Sequence, residues 1–204
     1  MNNVFALLIK YKLNNYLKYV LQGKWLENPY HNFYHTCCVV FWCNEYAIAE
    51  NLSEEEIRIL LLSALFHDVG HSGGNFVNDS SNIIFAKTHC LNALTFEKEI
   101  DLYDKIKWII DATEFPYIIE DEYLTISQKI IRDADLSQAF MNNTFVQHNI
   151  IGLGKEMNLS LGDSVVETRK FLNQVKMYTK LAQKLLKEEL KRINLSLDML
   201  EESL

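Results

Sequence analysis

The stretch Leu65-Phe66-His67-Asp68-Val69-Gly70-His71-Ser72-Gly73-Gly74 constrains this chain more than any other. An apolar helix runs straight into an imidazole beside an acid, then a glycine and a second imidazole. Ser53 and Glu56 form a capping-box pattern at its start. Ile57, Leu61 and Ala64 lie on the stripe that Asp68 continues, and Leu60 leads to His67. The His-Asp pair therefore points where the apolar side chains point, into the core. Burying a neutral polar group without compensation costs roughly 2–7 kcal/mol, and a charge costs more. A divalent metal is the commonest compensation for His beside Asp, so the fold has to bring further ligands to this point. Gly70, Gly73 and Gly74 end the helix and let the chain turn close to whatever sits there.

Two other segments supply candidates. A helix is predicted from Asn28-Pro29, with Asn as cap and Pro in the first turn. On it His31, His35, Cys38, Trp42 and Tyr46 fall three or four apart and share one inward face. Two imidazoles one turn apart, with a His-Asp pair downstream, favour a site over hydrogen-bonded core histidines, whereas Cys37 and Cys38 read as small buried hydrophobes. A later helix, from about Ser127, carries Arg132-Asp133-Ala134-Asp135-Leu136-Ser137. Acids two residues apart point about 200° apart on a helix, so only one faces inward. Asp135 sits with Ile131 and Ala139 and is the ligand candidate; Asp133 is assigned to Arg132 or to a cap.

The remaining pattern is helical. An amphipathic helix is predicted from about Val4 to Leu21, one from about Asn82 to Phe96 that carries His89, and one from about Leu102 to Ala112 that Thr113-Glu114-Phe115-Pro116 breaks. Asn75 to Ser81 reads as a polar rim, Asn149 to Leu161 as loop, and Ser164 to Ile193 as one long helix. That helix packs through Phe171, Val175, Tyr178, Ala182 and Leu185, and its Lys176, Lys180, Lys184, Lys187, Lys191 stripe reads as a solvated face. The tail after Leu195 reads as a short docking helix or as unstructured chain. With 204 residues, 49% hydrophobic and only two prolines and seven glycines, the expectation is a single all-α domain over 1–204. Its core spans about 28–150, with flanking helices in 1–27 and 160–204.

A formal charge of −7 argues against a nucleic-acid polymer as partner, but leaves a small phosphate ester open because a bound metal reverses the local field. Cys37, Cys38, Cys43 and Cys90 form no C-x-x-C pair, and the N-terminus lacks a basic stretch followed by a long apolar run. Free thiols in a cytoplasmic setting are expected. No apolar run approaches the ~20 residues of a membrane span, so no membrane partner is expected. The oligomeric state stays open, a dimer included.

Three blocks in fixed order now carry a resemblance: Tyr30-His31-Asn32-Phe33-Tyr34-His35, then His67-Asp68-Val69-Gly70-His71-Ser72-Gly73, then Ala134-Asp135-Leu136-Ser137. The set resembles the HD superfamily of metal-dependent phosphohydrolases and, more narrowly, the catalytic domain of the cyclic nucleotide phosphodiesterases. Those enzymes carry Tyr-His-Asn followed by a second His, then His-Asp with a nearby His-Pro-Gly, then Ala-Asp-Leu-Ser. The resemblance implies an all-α HD-domain, phosphodiesterase-like helical bundle around a metal site. It makes His35, His67, Asp68 and Asp135 the ligands of a first divalent ion, and Asp68 a bridge to a second held mostly by water. It makes His31 the general acid and sets His71 against the phosphate or the second ion's waters. Asn32, His89, Gln174 and Met177 join His31 and His71 on the substrate side, Gln174 and Met177 standing where the family has the Gln and Phe that hold the purine. Where the family has Glu before a His-His pair, this chain has Lys87-Thr88-His89-Cys90.

The implied activity is cleavage of a nucleotide phosphodiester by a water activated on the metals, with His as proton donor to the leaving alkoxide. The chemistry fits the residues independently. Two ions about 3.5–4 Å apart can generate the nucleophile and clamp the phosphoryl group, and imidazole titrates in the range needed for proton donation near neutrality. A mixed nitrogen and oxygen shell suits Zn, Mn or Fe at the first position, and a water-rich one suits Mg or Mn at the second. A nucleotide phosphomonoesterase or nucleoside triphosphate hydrolase of HD type is the alternative reading, and a non-catalytic metal-binding partner module a further one.

Overall fold

The computed structural model describes residues 2–74, 78–140 and 145–204. In chain order its α-helices are α1 (Asn2–Lys10), α2 (Leu17–Val20), α3 (Phe33–Ala49), α4 (Glu54–Phe66), α5 (Ser80–Glu97), α6 (Tyr103–Asp111), α7 (Ile126–Phe140), α8 (Gly154–Glu156), α9 (Leu161–Leu172) and α10 (Lys180–Glu201). Among the described residues there is no strand, and no helix is long and apolar enough to cross a membrane. The all-α bundle expected from the sequence is the fold observed.

Apolar residues recur on every side of α3 and α4, and these two helices with α7 form the centre. Every residue from Ile59 to Phe66 is buried, Ser63 included, whose hydroxyl donates to the Ile59 carbonyl at 2.9 Å. A fully buried Leu or Phe side chain stabilises by about 1.5–3 kcal/mol, so this one run is a large share of the core. The Ser53–Glu56 capping box forms as predicted and fixes where α4 starts. α3 packs most extensively on α7 and next on α4; α6 covers α4, α5 covers α6, and α10 lies on α7. The Tyr46 and Ser137 hydroxyls meet at 2.6 Å, a polar link between α3 and α7 inside the core.

Four helix boundaries differ from those the periodicity predicts. The Val4–Leu21 helix stops at Lys10: Lys12 takes a φ of +56°, and the Leu13 N–H reaches back to the Leu8 carbonyl at 2.7 Å. This is a closure of the Schellman type, followed by Asn14 and Asn15, which favour turns over helix. Asn32, not Asn28, caps α3, its side-chain oxygen accepting from the Tyr34 and His35 N–H groups. Asn28 instead ends a 3-10 turn and donates its side-chain amide to the His31 and His71 carbonyls. The segment read as loop from Asn149 is helical: Val146–Leu153 is a π-helix that continues into α8.

The single helix predicted over 164–193 is divided into α9 and α10, and buried Asp133 accounts for the division. Its carboxylate accepts from the Tyr178 and Thr179 N–H groups at 2.8 and 2.7 Å, and the Thr179 hydroxyl then caps α10. Burial pushes the Asp133 carboxyl up to about 6, against the two N–H bonds that favour its ionised form. Neither the pairing with Arg132 nor a cap expected for Asp133 is what is observed: it braces the two residues that lead into α10. Arg132 turns away to the Ala112 and Ile119 carbonyls and the face of the Tyr117 ring. α10 then runs on to Glu201 with Ile193 and Leu197 buried, so the tail after Leu195 is helical. Within the predicted polar rim, residues 75–77 lie outside the described residues.

Asp133→Ala leaves two backbone donors without an acceptor, each worth about 1–3 kcal/mol when buried, so the variant should lose about 2–4 kcal/mol of stability in urea denaturation. An unchanged midpoint would show that the division between α9 and α10 is not held by Asp133.

Candidate metal centre

His35 enters from the first turn of α3, His67 and Asp68 from the end of α4, and Asp135 from the middle of α7. Their heads converge. His35 Nε2 lies 3.0 Å from Asp135 Oδ1 and 3.2 Å from Asp68 Oδ2; His67 Nε2 lies 3.1 Å from Asp68 Oδ2 and 3.6 Å from Asp135 Oδ1. Ligands roughly 2.1 Å from one ion stand about 3.0 Å apart across a right angle and about 3.4 Å across a tetrahedral one, given usual metal–ligand distances. Three of the four separations fall in that range, and the fourth, 3.6 Å, lies just beyond it. Moreover His67 Nε2 and Asp68 Oδ2 are buried and make no well-angled hydrogen bond among the described residues, although they are in contact. Two such polar atoms facing each other are what a cation would satisfy. The donor set fits a divalent ion.

The rings are held from behind. His67 Nδ1 is 2.8 Å from the Ala64 carbonyl, and His35 Nδ1 is 2.7 Å from the side-chain oxygen of Gln138. Without an ion the cluster holds protons instead. Burial alone would push His35 down, but the Asp135 and Asp68 carboxylates outweigh it and raise His35 to about 9. His67 is raised in the same way against its own burial. Asp68 and Asp135 are held well below the usual carboxylate range by these imidazoles, again against burial.

A second cluster adjoins the first. His31 lies in the segment before α3, and its ring stands 5.6 Å from that of His35. Its Nδ1 is 2.6 Å from Glu156 Oε2, while Glu156 Oε1 accepts from the Tyr30 and His31 N–H groups at 2.7 and 2.8 Å. The Glu156 side chain is 2% exposed and that of His31 23%, so the acid is sealed in and the imidazole faces outward. The His71 ring stacks on His31 at 3.9 Å. His71 Nδ1 accepts from the Gly73 N–H, which leaves the proton on Nε2. Burial, then the neighbouring His31, push His71 down to about 4. His31, His71 and Glu156 also lie close enough to hold a cation, as do His35, His67 and Asp135.

Glycines make the second cluster possible. Gly74 has a φ of +83°, and a Cβ on it would stand 2.2 Å from the Glu156 carbonyl. A Cβ on Gly152 would stand 2.9 Å from the Pro29 carbonyl. The chain after the His-Asp pair, the segment before α3 and the π-helix therefore meet at backbone distance around Glu156. Glu156 has no place in the sequence reading, which leaves its neighbourhood as loop. The signal available was an isolated acid two residues beyond Gly152-Leu153-Gly154.

The other expected substrate residues fall into two groups. His89 is exposed on α5 against Gly70, and lines with His71, Asn28, Lys24 and Trp25 a cavity of about 330 Å³. Asn32 is engaged by capping α3 and by donating to the Asn28 carbonyl. Gln174 is exposed and Met177 buried in the connection between α9 and α10, and none of the contacts recorded among the described residues joins either to the histidines. Lys87, in the place of the family's acid, pairs with Asp111.

Fold and site together give a helical bundle in which His35, His67, Asp68 and Asp135 converge between α3, α4 and α7. Residues 30–88 match the family of 3′5′-cyclic nucleotide phosphodiesterases, less than a third of the chain but inclusive of the Tyr30–His35 and His67–Asp68 blocks. Over that stretch the chain is cyclic-nucleotide-phosphodiesterase-like. No curated protein and no solved structure gives a significant match.

Because His35 is protonated at neutral pH in the metal-free state, Zn²⁺ uptake at pH 7 should release about two protons, from His35 and His67. Affinity should rise with pH and level off above about 9, where His35 has lost its proton. In the metal-free protein the opposite sign holds: stability from these pairs is full below 6.5 and lost as pH rises through about 9. Calorimetry in buffers of different ionisation heat measures the release, and none at pH 7 would contradict the assignment.

Proposed function

We propose that the protein is a metal-dependent phosphohydrolase that cleaves a nucleotide phosphodiester, with His35, His67, Asp68 and Asp135 holding the first ion. The observation that carries this is the convergence of four donors at 3.0–3.6 Å, two of them orphaned, beside a histidine backed by a buried acid. A bound divalent ion would supply Lewis-acid activation of water and neutralise charge on the phosphoryl oxygens; Zn, Mn or Fe suits this shell. Asp68 would also reach toward a second ion such as Mg or Mn, as the resemblance implies.

The chain's own groups do the rest. Glu156 holds His31 through Nδ1, which leaves Nε2 as the nitrogen that gives its proton to the departing alkoxide. The buried carboxylate orients the ring. His71 is neutral with its proton on Nε2, so it donates a hydrogen bond to a phosphoryl oxygen without competing as an acid. The cavity beside His71 is lined by Lys24 and His89 and by no carboxylate, which suits an anionic nucleotide. A second reading, hydrolysis of a nucleotide monoester at one ion, draws on Lys87: its pairing with Asp111 leaves α5 without an acid where the family has one.

The test is turnover by Mn²⁺- and Zn²⁺-loaded protein of cyclic mononucleotides, cyclic and linear dinucleotides, monophosphates and triphosphates. Diester cleavage is expected, and His31→Ala should lower kcat on alkoxide-leaving diesters by about 10²–10⁴ while largely sparing a p-nitrophenyl diester, whose leaving group needs no proton. Phosphate release from monoesters alone would favour the second reading. Absence of turnover by metal-loaded protein on the whole panel would leave a binding module.

A further inference from the structure

We propose that Gln138 is a positioning residue of the metal centre: its carbonyl oxygen holds the proton on His35 Nδ1 and so keeps Nε2 as a lone pair aimed at the ion. The inference rests on the metal-centre reading above. Gln138 lies on α7 three residues beyond Asp135, hence on the same face, and is only 2% exposed. Its side-chain oxygen is 2.7 Å from Nδ1 of His35, itself fully buried, and the other nitrogen of that ring meets Asp135 and Asp68.

The partner's chemistry decides which nitrogen keeps the proton. For His67 the partner is the Ala64 carbonyl, which can only accept, so the tautomer is fixed by the backbone. An amide can present either its oxygen or its NH₂ group. Turned the other way, Gln138 would make His35 Nδ1 an acceptor and move the proton to Nε2, into the position an ion must occupy. The carboxylates of Asp68 and Asp135 on the far side of the ring share one ion only with a deprotonated Nε2. Among the described residues Gln138 Nε2 has no hydrogen-bond partner, and the amide's bond there is the one its oxygen makes to His35. An apolar side chain would fill the same space with no orphaned donor, and what it would lack is the acceptor. α7 thus supplies both a ligand, Asp135, and the group that aims a ligand on α3.

Zinc affinity by chelator competition, measured on wild type, Gln138→Leu and Gln138→Glu, tests this without reference to turnover. Gln138→Leu should bind zinc about 10–100-fold more weakly with its metal-free helicity retained, and Gln138→Glu, a stronger acceptor, should match or exceed wild type. The long-range ¹H–¹⁵N spectrum of zinc-loaded wild type should show His35 protonated at Nδ1. Unchanged affinity in Gln138→Leu, even with a lowered unfolding midpoint, overturns the inference, as does tenfold weaker binding in Gln138→Glu or a His35 without a proton on Nδ1. Should Gln138→Leu not fold, Gln138→Glu and the spectrum decide. Wild type that takes up no zinc overturns this inference and the proposed function together, whereas zinc uptake indifferent to Gln138 overturns this one alone.

Discussion

Four ionisable side chains brought to one buried point are the constraint from which the rest of this structure follows. Two imidazoles and two carboxylates at 3.0–3.6 Å carry a desolvation penalty of several kcal/mol per ion, which mutual attraction offsets only when geometry is good. Here the geometry comes from three helices whose packing is apolar almost throughout. α4 is buried without interruption from Ile59 to Phe66 and delivers His67 and Asp68 just past its last turn, where the backbone carbonyls are free and that of Ala64 accepts from His67 Nδ1. Rigid neighbours keep the ligands close. In the absence of an ion the same closeness forces protons onto His35 and His67, so the centre exchanges protons for metal.

Much of this is legible in the chain because the chemistry is carried by local contrast. An imidazole and an acid at the end of an apolar stripe stand out at any level of structural detail, and the helical period places His35 and Asp135 on inward faces. Asp133 and Asp135 are told apart by angle alone, and in the structure Asp133 turns from the histidines to the Tyr178 and Thr179 N–H groups. The Ser53–Glu56 cap is likewise a local pattern with a local cause. Such features are decided by neighbours within one or two turns, and a sequence displays those neighbours.

What the periodicity misplaces is decided from far away. α9 and α10 read as one helix because nothing between Ser164 and Ile193 breaks the pattern; the division is held by Asp133, about 45 residues earlier, whose carboxylate takes the Tyr178 and Thr179 donors. Asn28 has every local property of a cap and is used instead to tie the His31 and His71 carbonyls together. Glu156 is the clearest case. Its partners Tyr30 and His31 are over 120 residues away, and its own surroundings, one glycine in a π-helix and another at the start of α8, look like loop. A long-range hydrogen bond leaves no periodic trace.

This difference in range divides the site into two parts of unlike character. The metal ligands sit on α3, α4 and α7, which pack on one another directly, so their convergence follows as soon as the core forms. His31 lies outside any helix and is held by Glu156 through three hydrogen bonds, one to its ring and two to the backbone around it. Its place therefore depends on docking of residues 146–156 against the Pro29 and Gly74 backbones, at contacts that only glycine permits. The ion-holding half of the centre is built by hydrophobic packing, and the proton-handling half by a polar clasp closed across it. A chain arranged this way can bring its four converging side chains together before His31 is in register, because the clasp closes only where Glu156 meets the Tyr30 and His31 backbone.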